Sequence, residues 1–103
     1  MSVLLEFAIF PTDKGDSVSK QVSQVIELIR ESGISYQLTA MGTLIETDAL
    51  PEALALVNRC YDVLAEDSER VYTTMTIDIQ KNKHNRLKTK VEAIENKIGK
   101  VNK

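Results

Sequence analysis

Two carboxylates stand out among the residues whose types could do chemistry: Glu6, inside the apolar run VLLEFAIF, and Glu46, inside TLIET. An acidic side chain within a strand-like stretch is solvated on an open sheet face, tied into an ion pair, or used to accept from an amino-bearing or cationic small molecule. A second group lies near Glu46 in sequence. Tyr36, Met41, Gly42 and Thr43 offer an aromatic surface, a soft apolar contact, close backbone approach and a hydroxyl, a set that suits a planar heterocycle. The same four residues would also serve a plain turn and core. Ser17 and Ser19, where a helix pattern begins, can meet an anion or a ring nitrogen, or simply cap the helix.

Other chemistries find little support. His84 is the single histidine and Cys60 the single cysteine, so a histidine- or cysteine-based metal site and an internal disulfide are not expected. There is no Ser-His-Asp spacing, phosphate-binding glycine loop or HExxH motif. An enzyme using the two glutamates as acid and base lacks a readable activating partner, so no catalysis and no cofactor are expected. The segment KNKHNRLKTK, residues 81–90, carries four lysines and Arg86 without interleaved aromatics, and reads as a solvated helix entrance. With a net charge of −2 and 27% charged residues, nucleic acid and anionic lipid are poor partner candidates. The start, MSVLLEFAIF, lacks a basic leader and carries Glu6, which fits neither a signal peptide nor a membrane span; together with the lone cysteine this leads to a cytoplasmic expectation.

The elements that must position these residues follow from periodicity. At 103 residues, 43% of them hydrophobic, the chain has room for one domain; residues 1–98 are assigned to it and 99–103 to a tail. Alternation predicts a strand over residues 3–10, ended by Pro11. Val18, Val22, Val25 and Ile29 form a helical stripe, with Asp16 or Ser17 as cap and Gly33 as stop. A strand over 35–39 turns at Ala40 and Met41 into another over 42–47. Pro51 opens a second helix with the stripe Leu50, Leu54, Val57, Tyr61 and Leu64. A fourth strand spans 71–79, and Leu87, Val91, Ile94 and Ile98 mark a third helix over about 84–98.

Two βαβ halves joined by a hairpin, with right-handed crossovers, give an α+β, ferredoxin-like βαββαβ antiparallel sheet with an additional C-terminal helix. Both main helices would cover one face, with Val3, Leu5, Phe7, Ile9, Ile45, Val71, Met75 and Ile77 beneath them. Leu4, Glu6, Ala8, Leu44, Glu46, Tyr72, Thr74, Thr76 and Asp78 would look out from an uncovered face. That outer set is too apolar for water alone, so a homo-oligomer packing through it is expected, with the third helix as a second contact.

The segments FPTDKGDSVSKQV, SYQLTAMGTLIE and ERVYTTMTIDI together resemble, in order and spacing, the small thiamine-binding protein family, over about residues 3–98. Ser-Val-Ser at 17–19 and Met-Gly-Thr at 41–43 followed by Glu46 are the most specific parts. The resemblance implies a non-catalytic protein that binds thiamine, or its hydroxymethylpyrimidine half, at a site associated with a tetramer built as a pair of dimers. It implies that Glu46 or Glu6 accepts from the exocyclic amine, that Ser17, Ser19 or Thr43 meets ring nitrogens, and that Tyr36 and Met41 pack on the ring. Asp13, Gln21, Thr47 and Gln80 depart from the family pattern, which favours glycine, an aromatic, glycine and a basic residue there. The competing reading is an interaction module whose open face serves self-association alone.

Overall fold

The computed structural model describes residues 1–15 and 18–103. Chain order is β1 (Ser2–Pro11), α1 (Ser19–Glu31), β2 (Ser35–Leu38), β3 (Thr43–Thr47), α2 (Leu50–Ala65), β4 (Val71–Gln80) and α3 (Arg86–Ile98). The strands form one antiparallel sheet in the order β2-β3-β1-β4. This is the ferredoxin-like arrangement with a C-terminal helix.

β1 is the centre of the sheet because its alternation buries one side completely: Val3, Leu5, Phe7 and Ile9 lie under α1 and α2 with Ile45 of β3. Facing pairs share a side of an antiparallel sheet. Leu5 opposite Ile45 and Ile77, and Leu4 opposite Glu46 and Asp78, therefore carry the two face sets expected from the sequence across β1, β3 and β4. Glu6, opposite Leu44, lies on the same face as Glu46.

α1 follows Val18, which makes no side-chain cap; the expected caps, Asp16 and Ser17, lie outside the described residues. Its stop is as expected. Gly33 takes φ +77°, and the Ser32 hydroxyl donates to the Ile29 carbonyl and accepts the Ile34 N–H.

α2 begins with Pro51 in its first turn, but its buried stripe is Ala53, Leu56, Val57, Cys60 and Leu64. Leu54 and Tyr61, expected inside, are 40% and 48% exposed. The expected stripe followed the largest side chains. The helix instead lays its small residues, Ala53 and Cys60, against the sheet, which rotates the larger pair onto its flank. Burial raises the Cys60 thiol to about 11, so it is an inert packing group.

β4 has the predicted facing but not the predicted cover. Met75, Ile77 and Ile79 share the helix side with Phe7, Leu5 and Val3, yet all three are exposed, because the helices stop short of this edge. The opposite face is also not bare, since α3 begins on it. Leu87 and Val91 are half-buried there, whereas Ile94 and Ile98, further along the same stripe, are 43% and 73% exposed. No helix among the described residues is long and apolar enough to cross a membrane.

The rotated α2 stripe can be checked by urea unfolding. Leu56→Ala should cost about 2–5 kcal/mol, whereas Leu54→Ala should cost roughly 1 kcal/mol or less. Equal losses would contradict the packing described.

Candidate functional site

The two glutamates share a face and do different things. The Glu46 side chain turns to the start of α3, where its Oε2 accepts the Arg86 N–H at 2.8 Å and its Oε1 accepts the Leu87 N–H at 3.1 Å. Those are orphan donors of the helix's first turn, and a carboxylate is the natural acceptor at this positive end. The Ser2 hydroxyl donates to the same Oε2 at 2.5 Å and accepts from Arg86 Nε at 2.9 Å. The Arg86 guanidinium also donates to the Ser2 and Asp78 carbonyls and pairs with the Asp78 carboxylate at 2.6 Å. Burial pushes the Glu46 carboxyl up, but the Ser2 hydroxyl, the two backbone N–H groups and the Arg86 charge outweigh that push, so it titrates below its ordinary value. Arg86, read from sequence as part of a solvated basic segment, is thus an internal clamp with only 12% of its side chain exposed.

Glu6 is exposed and sits two residues along β1 from Leu4, the partner of Glu46. Its Cγ lies 3.7 Å from where a side chain on Gly42 would begin. Gly42 itself is pressed against β1: a Cβ there would stand 2.9 Å from the Phe7 carbonyl oxygen. The sequence suggested a turn-forming glycine. The structure assigns the turn to Thr39, whose hydroxyl donates to the Gly42 carbonyl at 2.8 Å and accepts the Met41 and Gly42 N–H groups at 3.3 and 3.2 Å. Thr39 went unnoticed in the sequence. A threonine opening a four-residue TAMG turn is the available signal, since its hydroxyl can mimic a backbone turn.

Because β2 and β3 are short, β1 outruns them. Among the described residues, Ala8, Ile9, Phe10 and Pro11 pair with β4 alone, so the edge of β1 facing the hairpin has backbone N–H and C=O groups without a ladder partner there. Beside that edge is a notch of about 240 Å³, walled by Phe7–Phe10, by Thr39–Thr43 and by Val22, Val25 and Ile26 of α1. Thr43 is nearly buried in its wall, and Met41 stands 87% exposed at its rim. Ser19, exposed in the first turn of α1, precedes the wall residue Val22 by three positions.

The eight residues singled out in sequence therefore do not converge on one slot. Met41, Gly42 and Thr43 line the notch, Glu6 borders Gly42 from the other face, and Ser17 lies outside the described residues. Tyr36, opposite Ile45, is on the α1–α2 side and packs against the core, whereas Glu46 is on the α3 side. Strand register forbids these two from holding opposite aspects of the same ring. A second, broader cleft of about 610 Å³ runs between α3 and the outer edge of β2, including Ser35, Tyr36, Leu87 and Val91. Its charged walls are already paired, Lys88 with Glu92 and Lys103 with Glu95. The notch is the better-equipped site.

Two of the departures have local roles. The Asp13 carboxylate accepts the Glu69 N–H at 2.8 Å, which holds its carboxyl below the usual range and ties the loop after β1 to the approach to β4. The Thr47 hydroxyl donates to the Ala49 carbonyl at 2.8 Å, closing the turn into α2.

The pH dependence of the α3 clamp follows from its sign. A carboxyl depressed in the folded state contributes its stability above its unfolded value, near 4.5, and loses it as pH falls through the lower folded value. Amide exchange in α3 should accelerate below about pH 4.5, ahead of the core. Glu46→Gln should remove that acid step and lower α3 protection at neutral pH by about 1–3 kcal/mol. A pH-independent α3 would contradict the clamp.

Comparison with known proteins gives a consistent result. The family model described as thiamine-binding protein matches residues 5–95. The UPF0045 protein MJ1052 of Methanocaldococcus jannaschii is 36% identical over 92 residues, covering 89% of this chain and 91% of that protein. Its crystal structure superimposes with a TM-score of 0.80 at 34% identity, over 90% of this chain and 95% of the other. A Thermotoga maritima protein assigned provisionally to thiamine biosynthesis or salvage has the same fold, with a TM-score of 0.78 at 18% identity over 91% of this chain and 99% of that one.

Proposed function

The chain belongs to the thiamine-binding protein family, and from that premise we propose that it binds thiamine or its hydroxymethylpyrimidine half, without catalysis, in the notch beside β1. The observation that carries this reading is the unpaired edge of β1 at Ala8–Pro11, facing Thr39–Thr43 across a space of about 240 Å³. An aminopyrimidine presents a ring nitrogen acceptor next to an amine donor. A strand edge presents the complementary N–H and C=O, so the ring can take the place of the missing stretch of β3. Gly42 keeps the approach open, Met41 can fold over the ring, Thr43 supplies a hydroxyl, and Ser19 borders the α1 side. The space falls below the range of about 300–1,000 Å³ for sites that enclose a whole drug-sized ligand. That favours one ring inside and the thiazolium outside, where the exposed Glu6 carboxylate can attract its positive charge.

In this reading the protein is a carrier, buffer or sensor in a reducing, cytoplasmic setting. It works as a pair of dimers in which the α3 face is one contact, because Ile94 and Ile98 leave an apolar stripe without cover. The same stripe supports the second reading, an assembly module without a ligand. The two differ in one measurement.

Isothermal titration of the full-length protein, at hundreds of micromolar, against thiamine and against hydroxymethylpyrimidine should give saturable heat with both. Thr43→Val should weaken binding about 2- to 12-fold, the range of one net hydrogen bond, while Glu46→Gln should leave affinity unchanged. Absence of heat with either compound would leave the assembly module standing.

A further inference from the structure

The notch does not end at the hairpin. Its walls Val22, Ile26 and Leu38 also border a second space, a groove of about 350 Å³ that runs on along α1 past Ser23, Glu27 and Arg30. A ligand seated in the first space can extend into the second. The notch by itself is smaller than the range of about 300–1,000 Å³ for sites that enclose a whole drug-sized ligand, and with this arm the space falls inside it.

One wall of the arm is the free edge of β2, the outermost strand on that side of the sheet. The Thr39 N–H is bonded to the Gly42 carbonyl at 2.9 Å, so by the alternation of an antiparallel pair the neighbouring Leu38 turns its N–H and C=O away from β3. The Leu38 side chain is 56% exposed and offers apolar cover.

The other wall is a flank of α1, and there the order of side chains matters. At ~1.5 Å per residue, Glu27 stands roughly 1.5 Å and Arg30 roughly 6 Å further along the helix axis than Ile26, the last residue that the two spaces share. Moving out of the notch, a ligand meets an acidic group and then a basic one. Arg30 can reach back, because helix side chains lean toward the N-terminus. Among the described residues its guanidinium makes no ion pair, although Glu27 is on the same wall.

We propose that the arm makes this a site for the phosphate ester of thiamine in preference to the free vitamin, with the pyrimidine in the notch, the thiazolium beside Glu27 and the ester phosphate on Arg30. The inference rests on the notch reading and adds a ligand class to it. The charges of such an ester run in the order of the arm: a neutral ring, a cation, then an anion. Free thiamine carries the cation only, which the exposed Glu6 can meet as well, so it makes no use of Arg30. A phosphate joined directly to the pyrimidine would lack the cation and pass its negative charge along Glu27 unshielded. The guanidinium fork suits a phosphate, and the outward N–H of Leu38 is a second donor for it.

Arg30 also suits the last turn of α1 without any ligand, since a cation there interacts with the negative end of the helix. That role leaves the choice between thiamine and its ester untouched. The ratio of the two affinities is therefore the quantity to read.

Isothermal titration of the full-length protein at low salt should show thiamine monophosphate binding about 5-fold more tightly than thiamine, the upper end for an exposed ion pair. Arg30→Gln, at an exposed position and checked for folding by circular dichroism, should abolish that preference. Salt near ~1 M, where charges are screened beyond about 3 Å, should do the same. Arg59→Gln, an equal change in net charge at an exposed position on α2, should leave the preference in place. Inorganic phosphate alone should give no saturable heat. Equal affinities for thiamine and its ester, a preference unchanged in Arg30→Gln, or saturable heat with inorganic phosphate would each overturn the arm while thiamine binding in the notch still stands. No heat with either thiamine compound would end the notch reading and this inference with it.

Discussion

The Glu46 carboxylate decides what the second face of the sheet becomes. One acidic group on β3 accepts from the Ser2 hydroxyl and from the first two N–H groups of α3, while Arg86 closes the circle through Ser2 and Asp78. Three strands and one helix meet at this point. Beyond it, α3 rests on the half-buried Leu87 and Val91 and fully buries no residue of its own. The left-handed Asn85, at φ 56°, makes the bend that presents those N–H groups. Anchored only at its start, α3 covers the sheet with its first turns and leaves Ile94 and Ile98 outside.

That anchor removes Glu46 from the list of free acceptors and moves attention to the place where the sheet is incomplete. β1 spans ten residues while β3 spans five, and the mismatch opens the notch. The family match names a binding family; the proposal puts a flat nitrogenous ring in the notch because that space offers backbone hydrogen-bonding groups beside a glycine pressed against β1. The division of labour between the glutamates has a simple cause. Glu46 sits opposite Leu4, beneath α3, whereas Glu6 sits two residues along β1, on the way to the open end.

Much of this was legible in the sequence, and the exceptions are instructive. Alternation in VLLEFAIF and TLIET assigned both faces correctly across the central strands, including the shared side of Glu6 and Glu46. Sequence proximity groups Tyr36 with Met41 and Glu46, but the hairpin register separates them. With Leu38 opposite Thr43, Tyr36 must face Ile45 and the core. The α2 stripe was drawn through Leu54 and Tyr61 because size is an unreliable guide where Ala53 and Cys60 let a helix sit close. The clamp itself joins residues 2, 46, 78 and 86, contacts of long sequence separation that no local pattern encodes.

The account's central claim, that the ring sits in the notch while Glu46 holds α3, is tested most directly by titrating isotope-labelled protein with hydroxymethylpyrimidine and following amide chemical shifts. The claim predicts that the amides of Phe7–Phe10 and Thr39–Thr43, which wall the notch, move with saturation while those of Arg86 and Leu87 stay still. Movement confined to Tyr36, Leu87 and Val91, in the cleft beside α3, with the β1 edge unmoved, would contradict it.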